Sequence, residues 1–498
     1  MLQHLLQENF ILMADGYKTC HWQQIPSNVA YTYTVMVPRK IAPYADEIVA
    51  AGQNMIASFL SSVRITEDMV DEAQLEIEAQ GYEFYRDGWM QIVRHHDGKL
   101  PLMLFGVEEG RIVSPQTPIL GWINSKPGFA WLCGDVETII QSIGWKMTTV
   151  ASICRKIRTT LHEVAQKTDT VSDISYMLHN FGDRGADGPE AAVIAGIAHA
   201  MLFDGSDCLQ TNRYIKKLYR TQKNYTSSIV ASEHYTMTSN SDCYNKDDYM
   251  AAAMMVQQLE TAVERTKRGI GIPFVSAVID TFDDVRFVSE YFGTNKEKIS
   301  AEFSNLKDRI INSGGRMICR PDSGDPTKKP GEIGQLLANS FGFTTNAAGY
   351  NVLHPAVGVI QGDGLTINTF KDVLEGWINS GFSLDNFCMG MGSGITHDGR
   401  RDDFSFSVKA IANKLNNGDW VSLIKDPKTD AGKKSLSGLA RCIENPNGEL
   451  EIINNLKLFG GEISMWMDQP GWRNYLADGY REYRQSFDDV RNRARSGT

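Results

Sequence analysis

His234 follows Ser232 and Glu233 directly after an apolar run, and an imidazole beside a carboxylate at a strand end can act as nucleophile or acid/base. Four more polar motifs also follow apolar runs: IDTFDD (279–284), RPDSGDP (320–326), QGDG (361–364) and GMGSG (390–394). IDTFDD supplies Asp280, Asp283 and Asp284, carboxylates that suit orienting a histidine or Mg²⁺ waters; the pair at 283 and 284 equally suits a helix N-terminus. In RPDSGDP a proline fixes Arg320 relative to Asp322, setting a forked donor beside an acceptor for a ligand with a carbonyl and hydroxyls, with a structural Arg–Asp pair as the alternative. QGDG places Asp363 between glycines, where its carboxylate reaches a sugar hydroxyl or metal-bound water and the backbone N–H groups touch phosphate; a tight Asx turn uses the same residues. GMGSG lets backbone N–H groups approach phosphate, and Arg400, Arg401, Lys409, Lys425 and Lys433 follow it; a plain turn and solvated surface cations remain open.

These groups meet only if strands deliver them to one place. Short apolar runs read as buried parallel strands, and polar groups at their C-terminal ends face the mouth of an α/β barrel. The runs at 229–231, 274–279, 317–319, 357–360 and 387–389 alternate with amphipathic helices, and the sequence favours a barrel over a doubly wound sheet. Before them, alternating segments at 30–37 and 102–107 mix with helical stretches at 67–80 and 136–161. After them come short strands at 420–424 and 450–453, then a helix started by Ser486 with Asp489 as capping-box partner. The expected organisation is an α+β sheet-containing domain of residues 1–170 plus 411–498, and an α/β barrel domain of residues 171–410 that carries most of the site. With no Pro-rich linker or low-complexity tract, the two should be in tight contact.

Composition narrows the class. A formal net charge of −10 argues against general nucleic-acid binding, and 42% hydrophobic content argues against disorder. The eight cysteines form no C-x-x-C pair, so neither a zinc knuckle nor a disulfide framework is expected. The longest apolar stretch, 191–203, is broken by His199 and is too short to cross a bilayer; with no signal-peptide pattern, a cytoplasmic enzyme is expected. Neither G-x-x-x-x-G-K-[ST] nor a strand-to-helix G-x-G-x-x-G occurs, which counts against P-loop enzymes and dinucleotide dehydrogenases.

Taken in order, ADGYKTCHWQQIP (14–26), DGKLPLMLFGVEEGRIV (97–113), LHNFGDRG (178–185), FDGSD (203–207), ASEHYT (231–236), CRPDSGDP, VIQGDG, RDDFSFSVK (401–409), IKDPKTDAGKK (424–434) and YRQSFDDVR (483–491) resemble the nicotinamide phosphoribosyltransferases, type II phosphoribosyltransferases, nearly end to end. The resemblance implies an irregular α/β barrel with a second α+β sheet-containing domain. It implies an enzyme of NAD salvage that transfers the phosphoribosyl group of phosphoribosyl pyrophosphate to nicotinamide, releasing nicotinamide mononucleotide and pyrophosphate. Mg²⁺, held by substrate phosphates and waters, would be the cofactor, with ATP as co-substrate hydrolysed through a phosphohistidine. The assembly would be a homodimer with active sites at the subunit interface, binding neither nucleic acid nor membrane.

The same resemblance distributes roles. His234 would be phosphorylated, with Glu233 and Asp280 orienting its ring. Phe181 from one chain and Tyr17 from the other would sandwich nicotinamide, Asp207 would accept from its amide NH₂, and Arg320 with Ser276 would face its carbonyl. A carboxylate at 207 would disfavour nicotinate through like-charge repulsion. Asp322, Asp363 and Gly362 would hold the ribose, with Asp322 sharing in catalysis; Arg184, Gly392, Ser393, Arg401, Ser407, Lys409, Lys425 and Lys433 would hold the phosphates, with Arg39 contributed by the partner subunit. Two positions depart from the family pattern: Ser393 stands where glycine is expected, and Asp183 where an aromatic is common. Nicotinate phosphoribosyltransferase is the nearest rival, and Asp207 and the DGYK motif argue against it.

Overall fold

Parallel strands covered on both faces need near-continuous apolar runs, whereas antiparallel strands tolerate alternation. Both patterns occur in the computed structural model, which describes residues 9–297, 300–429, 434–454 and 467–498. Along the chain, the strands of the two large sheets begin with β1 (Val29–Val37), β2 (Leu102–Gly106) and β3 (Leu120–Asn124). Next come β4 (Leu178–Asn180), β5 (Val230–Ala231), β6 (Phe274–Val278), β7 (Arg316–Arg320), β8 (Val357–Gln361) and β9 (Phe387–Met391). The last are β10 (Ser407–Leu415), β11 (Trp420–Ser422), β12 (Arg473–Ala477) and β13 (Tyr480–Arg481).

One sheet has the order β4-β9-β8-β7-β6-β5 with every pairing parallel. Its edges approach each other through single bridges, Asn180 with Ser206 and Gly205 with Ser227, the latter just before β5. The sheet is therefore a curled, irregular barrel whose last stave is reduced to a few residues. β8 is buried throughout, and the helices Tyr249–Thr266 and Lys329–Phe341 pack against β6 and β8 respectively. On the helix Phe370–Asn379, Trp377 stacks on Phe387 at the start of β9, with centroids 4.7 Å apart and planes 13° apart.

The second sheet is antiparallel, in the order β11-β10-β1-β3-β2-β12-β13, so it draws strands from both ends of the chain. β10 begins at Ser407, crossing the boundary expected at 410/411, because Ser407 pairs with Val37 and Lys409 with Val35. The helix Glu137–Lys167 packs against the barrel-side helix Pro189–Ala200, and Arg158 Nη1 donates to Leu202 O at 3.0 Å.

The C-terminal helix Phe487–Ala494 starts at the capping box expected from its sequence: Asp489 N–H donates to Ser486 Oγ at 3.0 Å and Ser486 N–H to Asp489 Oδ2 at 3.3 Å. It joins the two sheets. Arg493 Nε donates to Glu109 O at 2.7 Å beside the antiparallel sheet, while Arg491 and Arg495 both pair with Asp204 on the bridged stave of the barrel. Among the described residues no helix is long and apolar enough to cross a membrane.

Candidate active site

Parallel strands present their C-terminal ends on one side, and β5 through β9 each end one to three residues before a predicted site residue. Ser232 ties three of these ends together. Its N–H donates to Ser276 O (2.9 Å), its hydroxyl accepts from Val278 N (2.9 Å), and its carbonyl accepts from Arg320 Nη2 (2.9 Å). Two residues later the helix His234–Ser239 begins, with Glu233 as N-cap: the Glu233 N–H donates to Thr236 Oγ1 at 3.2 Å and that hydroxyl donates to Glu233 O at 2.9 Å.

The imidazole that leads this helix stands between two carboxylates, with Nε2 3.5 Å from Asp280 Oδ1 and Nδ1 3.6 Å from Asp322 Oδ2. These are ion-pair separations, longer than direct hydrogen bonds. Asp280 is immobilised through its other oxygen, which accepts from Asp322 N–H at 3.1 Å and from Ser323 Oγ. Its side chain is 6% exposed and that of His234 47%, so a fixed carboxylate backs an accessible ring. Asp280 is one of the two orienters expected; the other, Glu233, occupies the cap, and Asp322 stands at the second side of the ring.

Phe181 follows β4, its N–H bonded to Met391 O at 2.9 Å. Its ring lies over Gly390, where an added Cβ would sit 2.1 Å from Cε2, and near Gly362, where the corresponding distance is 3.6 Å. The first glycine of GMGSG thus makes room for an aromatic ring, a role the phosphate-loop reading had not anticipated. A Cβ on Gly362 would also lie 3.9 Å from Arg320 Cδ, so Phe181 and Arg320 flank the same strand end. The exposed Arg184 follows in a loop packed on the phosphate-loop segment: a Cβ on Gly185 would be 3.1 Å from Ser393 Cα, and Thr396 Oγ1 donates to Gly182 O at 3.1 Å. Gly392 and the exposed Ser393 begin the turn Ser393–Thr396, and the exposed Asp363 lies beyond β8 with its carbonyl accepting from Gln361 Nε2 at 2.8 Å.

Asp207 lies one residue past the Ser206 bridge. His179 Nε2 is 2.9 Å from its Oδ1, and the Ser228 hydroxyl donates to the same oxygen. Burial pushes this carboxyl upward, but the His179 hydrogen bond and charge, the Ser228 hydroxyl and the Arg320 charge together outweigh it and hold the group below the usual carboxylate range. Across the mouth, Arg320 pairs in register with Val278, two residues from Ser276 on the same face of the sheet. Arg320 Nε, Ser276 Oγ and Gln361 Oε1 are buried without a hydrogen-bond partner among the described residues. Unspent polar atoms of this kind need a ligand or water. Neither His179 nor Ser228 was singled out in the sequence, although His179 lies two residues before Phe181, the spacing that puts alternate side chains on one face of a strand.

Most of the remaining predicted residues that the structure describes lie on or beside the antiparallel sheet. Arg39, just past β1, donates from Nε to Ser405 O (2.9 Å) and from Nη2 to Ser405 Oγ (2.8 Å). Arg39, Ser407 and Lys409 line one small cavity with Lys434. Lys409 also lines a neighbouring cavity of about 390 Å³ with Lys18 and His21. Burial lowers the Lys409 pKa; Glu137 opposes this, while the charges of Lys425, Lys18 and Arg39 add to it. Lys18 pairs with Glu137 at 2.9 Å, and the adjacent Tyr17, 55% exposed in the helical turn Gly16–Gln23, packs edge-on to His21 with centroids 5.2 Å apart. The exposed Arg401 pairs with its neighbour Asp402 at 2.9 Å, and Lys433 lies outside the described residues. The predicted residues therefore form two sets, one at the barrel mouth and one on the antiparallel sheet. Among the described residues no cluster of three or more His, Cys, Asp or Glu side chains is arranged to hold a metal ion.

The fold is an α/β barrel joined to an antiparallel sheet, with many of the expected site residues gathered at the barrel's mouth. Residues 176–458 match the model of the nicotinate phosphoribosyltransferase (NAPRTase) family, and residues 9–104 match that of the nicotinamide phosphoribosyltransferase N-terminal domain. The chain is 31% identical over 435 residues to the nicotinamide phosphoribosyltransferase of Xanthomonas campestris pv. campestris, with 86% of each chain covered. It is 29% identical over 526 residues to that of Acinetobacter baylyi, covering 96% of this chain and 95% of the relative. Two solved structures share the fold at a TM-score of 0.55: nicotinate-nucleotide pyrophosphorylase from Pyrococcus furiosus (12% identity, covering 98% and 95%) and human nicotinic acid phosphoribosyltransferase (14% identity, covering 96% and 92%). The chain belongs to the nicotinate phosphoribosyltransferase family and is a pentosyltransferase.

Proposed function

We propose that this enzyme transfers the phosphoribosyl group of phosphoribosyl pyrophosphate to nicotinamide, forming nicotinamide mononucleotide and pyrophosphate in NAD salvage. The observation that carries the reading is Asp207, held below the usual carboxylate range, facing the unspent donor of Arg320 beside the Phe181 ring, with that of Ser276 on the same face of the sheet. A carboxamide has one donor end and one acceptor end, and these groups complement both. A nicotinate carboxylate would set a second negative charge against Asp207, and a like-charge contact of this kind costs several kcal/mol. The names of the two relatives agree with the amide.

In the reaction the pyridine nitrogen bonds to C1 of the ribose as the bond from C1 to the pyrophosphate oxygen breaks. Asp322 and Asp363 hold the ribose hydroxyls, and the Arg184, Gly392 and Ser393 region receives the 5′-phosphate. Positive charge on the Arg39, Ser407, Lys409 and Lys425 side stabilises the departing pyrophosphate. Mg²⁺ bound to the pyrophosphate would supply neutralising charge there; the buried Asp280 Oδ1, which lacks a hydrogen-bond partner, and Asp322 would hold its waters.

ATP enters through His234. A ring nitrogen attacks the γ-phosphorus, the bond to the β-bridging oxygen breaks, and ADP leaves; water then cleaves the phosphoramidate to phosphate. Asp280 holds the imidazole for this step, while the accessible face of the ring takes the phosphoryl group. The two sets of residues suit a homodimer in which the antiparallel sheet of one subunit, with Tyr17 and Arg39, completes the barrel mouth of the other.

The test is nicotinamide mononucleotide formation from nicotinamide and phosphoribosyl pyrophosphate with Mg²⁺, with and without ATP, beside nicotinate. Amide turnover stimulated by ATP supports the reading; preferential turnover of nicotinate overturns the role of Asp207.

A further inference from the structure

His179 touches both recognition elements of the proposed pyridine site. Its ring is 4.7 Å from that of Phe181, tilted by 39°, and its Nε2 is 2.9 Å from Asp207 Oδ1. The ring has a fixed berth: a Cβ on Gly205 would lie 2.8 Å from His179 Nδ1, so the imidazole rests against bare backbone of the bridged stave. Ser228 supplies the second donor to Oδ1, leaving Oδ2 without a hydrogen-bond partner among the described residues. One oxygen is saturated from within the protein and the other is left to the substrate.

We propose that His179 is a positioning residue for substrate specificity: its Nε2–H, with the Ser228 hydroxyl, saturates one oxygen of Asp207 and holds the other open, selecting a heteroaromatic ring that carries a neutral amide donor. This rests on the function proposed above. A carboxylate free to turn could offer either oxygen and pick up a proton, and a neutral acid no longer repels a nicotinate carboxylate. The Asp207 side chain is 47% exposed, so burial pushes it only part of the way toward that neutral form, and the two donors with Arg320 hold it below the usual carboxylate range. The charged and titratable groups around the pair are Arg320 beside Asp207, and His199 and Cys388 near His179; His199 is held neutral by burial, its pKa pulled down to about 3.

The test compares His179→Leu with His179→Gln, whose side-chain amide restores a donor near the Nε2 position, and adds Ser228→Ala, which removes the other donor while leaving the histidine. Steady-state kinetics with nicotinamide and nicotinate would be followed from pH 5 to 8.5, with circular dichroism confirming folding. For His179→Leu the KM for nicotinamide is expected to rise about tenfold with kcat changed far less, as loss of a hydrogen bond to a charged group implies. The acid limb of kcat/KM should move to higher pH and the amide-to-acid preference should fall. Ser228→Ala should move the same quantities in the same direction, and His179→Gln should recover most of the preference. Equal behaviour of the Leu and Gln variants, or an unmoved pH profile and preference in both His179→Leu and Ser228→Ala, would overturn the inference. Should the unmodified enzyme fail to use nicotinamide at all, it is the function proposal that falls.

Discussion

Phe181 and Gly390 share one space: the ring carbon Cε2 lies 2.1 Å from the point where a β-carbon on Gly390 would stand. An aromatic wall can lie flat on a barrel mouth only where the strand beneath it has no side chain. Gly390→Ala should therefore tilt the ring away and raise the KM for nicotinamide about tenfold, the scale of a lost aromatic contact with some strain added. Kinetics alongside a thermal denaturation midpoint would check it; a KM unchanged in a folded variant would show that Phe181 does not stack on the substrate.

The buried Asp280 backs the accessible His234. His234→Ala should abolish both ATP hydrolysis and the ATP-dependent increment in mononucleotide formation, and Asp280→Asn should slow phosphoryl transfer by about tenfold to a hundredfold through loss of ring orientation. Radiolabel from γ-³²P ATP, retained in alkali and released in acid, reads the step directly. Label undiminished in His234→Ala would place the phosphoryl group elsewhere.

Tyr17 sits in the helical turn whose Lys18 and His21 line the cavity beside the antiparallel sheet, and Phe181 lies at the barrel mouth. If the two act across a dimer interface, inactive Tyr17→Ala and inactive Phe181→Ala subunits should complement when mixed. Random re-pairing gives half heterodimers, each with one intact site, so activity should recover to about a quarter of the unmodified level. Size-exclusion chromatography would confirm subunit exchange; no recovery after exchange would put both aromatics in the same subunit's site.

Asp248 sets a pH dependence of stability. Its side chain is fully buried, 3.7 Å from Arg286 Nη2, and its pKa is raised to about 6 by burial, with Asp247 and Asp283 adding and Arg286 opposing. The folded state thus holds this proton more tightly than the unfolded chain. The stability it contributes is present below about pH 4 and is lost as pH rises through about 6. Asp248→Asn should stabilise the protein at pH 8 by about 1–3 kcal/mol and leave it nearly unchanged near pH 4. Urea denaturation at the two pH values measures the difference.

Strands β5 to β9 were legible because parallel strands buried on both faces need apolar runs, and the polar residues after those runs stood out by contrast. β4 and β10 were not. Leu178–Asn180 is short and mostly polar, and Ser407–Leu415 interleaves Ser407, Lys409, Asn413 and Lys414 with apolar residues, so it reads as surface. Of the two groups expected beside the imidazole, Asp280 stands there and Glu233 is turned elsewhere. Glu233 adjoins His234 in sequence, but the helix start turns it into a cap, while Asp322 arrives on a strand two staves away. His179 finds Asp207 only because Asn180 bridges Ser206, a contact that local pattern does not encode.

β1 is central in the antiparallel sheet, yet one of its neighbours comes from the far end of the chain: the Thr32 and Asn413 side chains bond at 3.0 Å across 381 positions. Every barrel strand leaves the ribosome before β10 does. At about 5–20 residues per second, the edge of β1 stays open for roughly 20–75 seconds of synthesis, an exposed apolar edge of the kind that templates aggregation. The strands of the barrel mouth are thus all synthesised before the strand that carries Ser407 and Lys409, and β1 gains its second neighbour only when nearly the whole chain has been made.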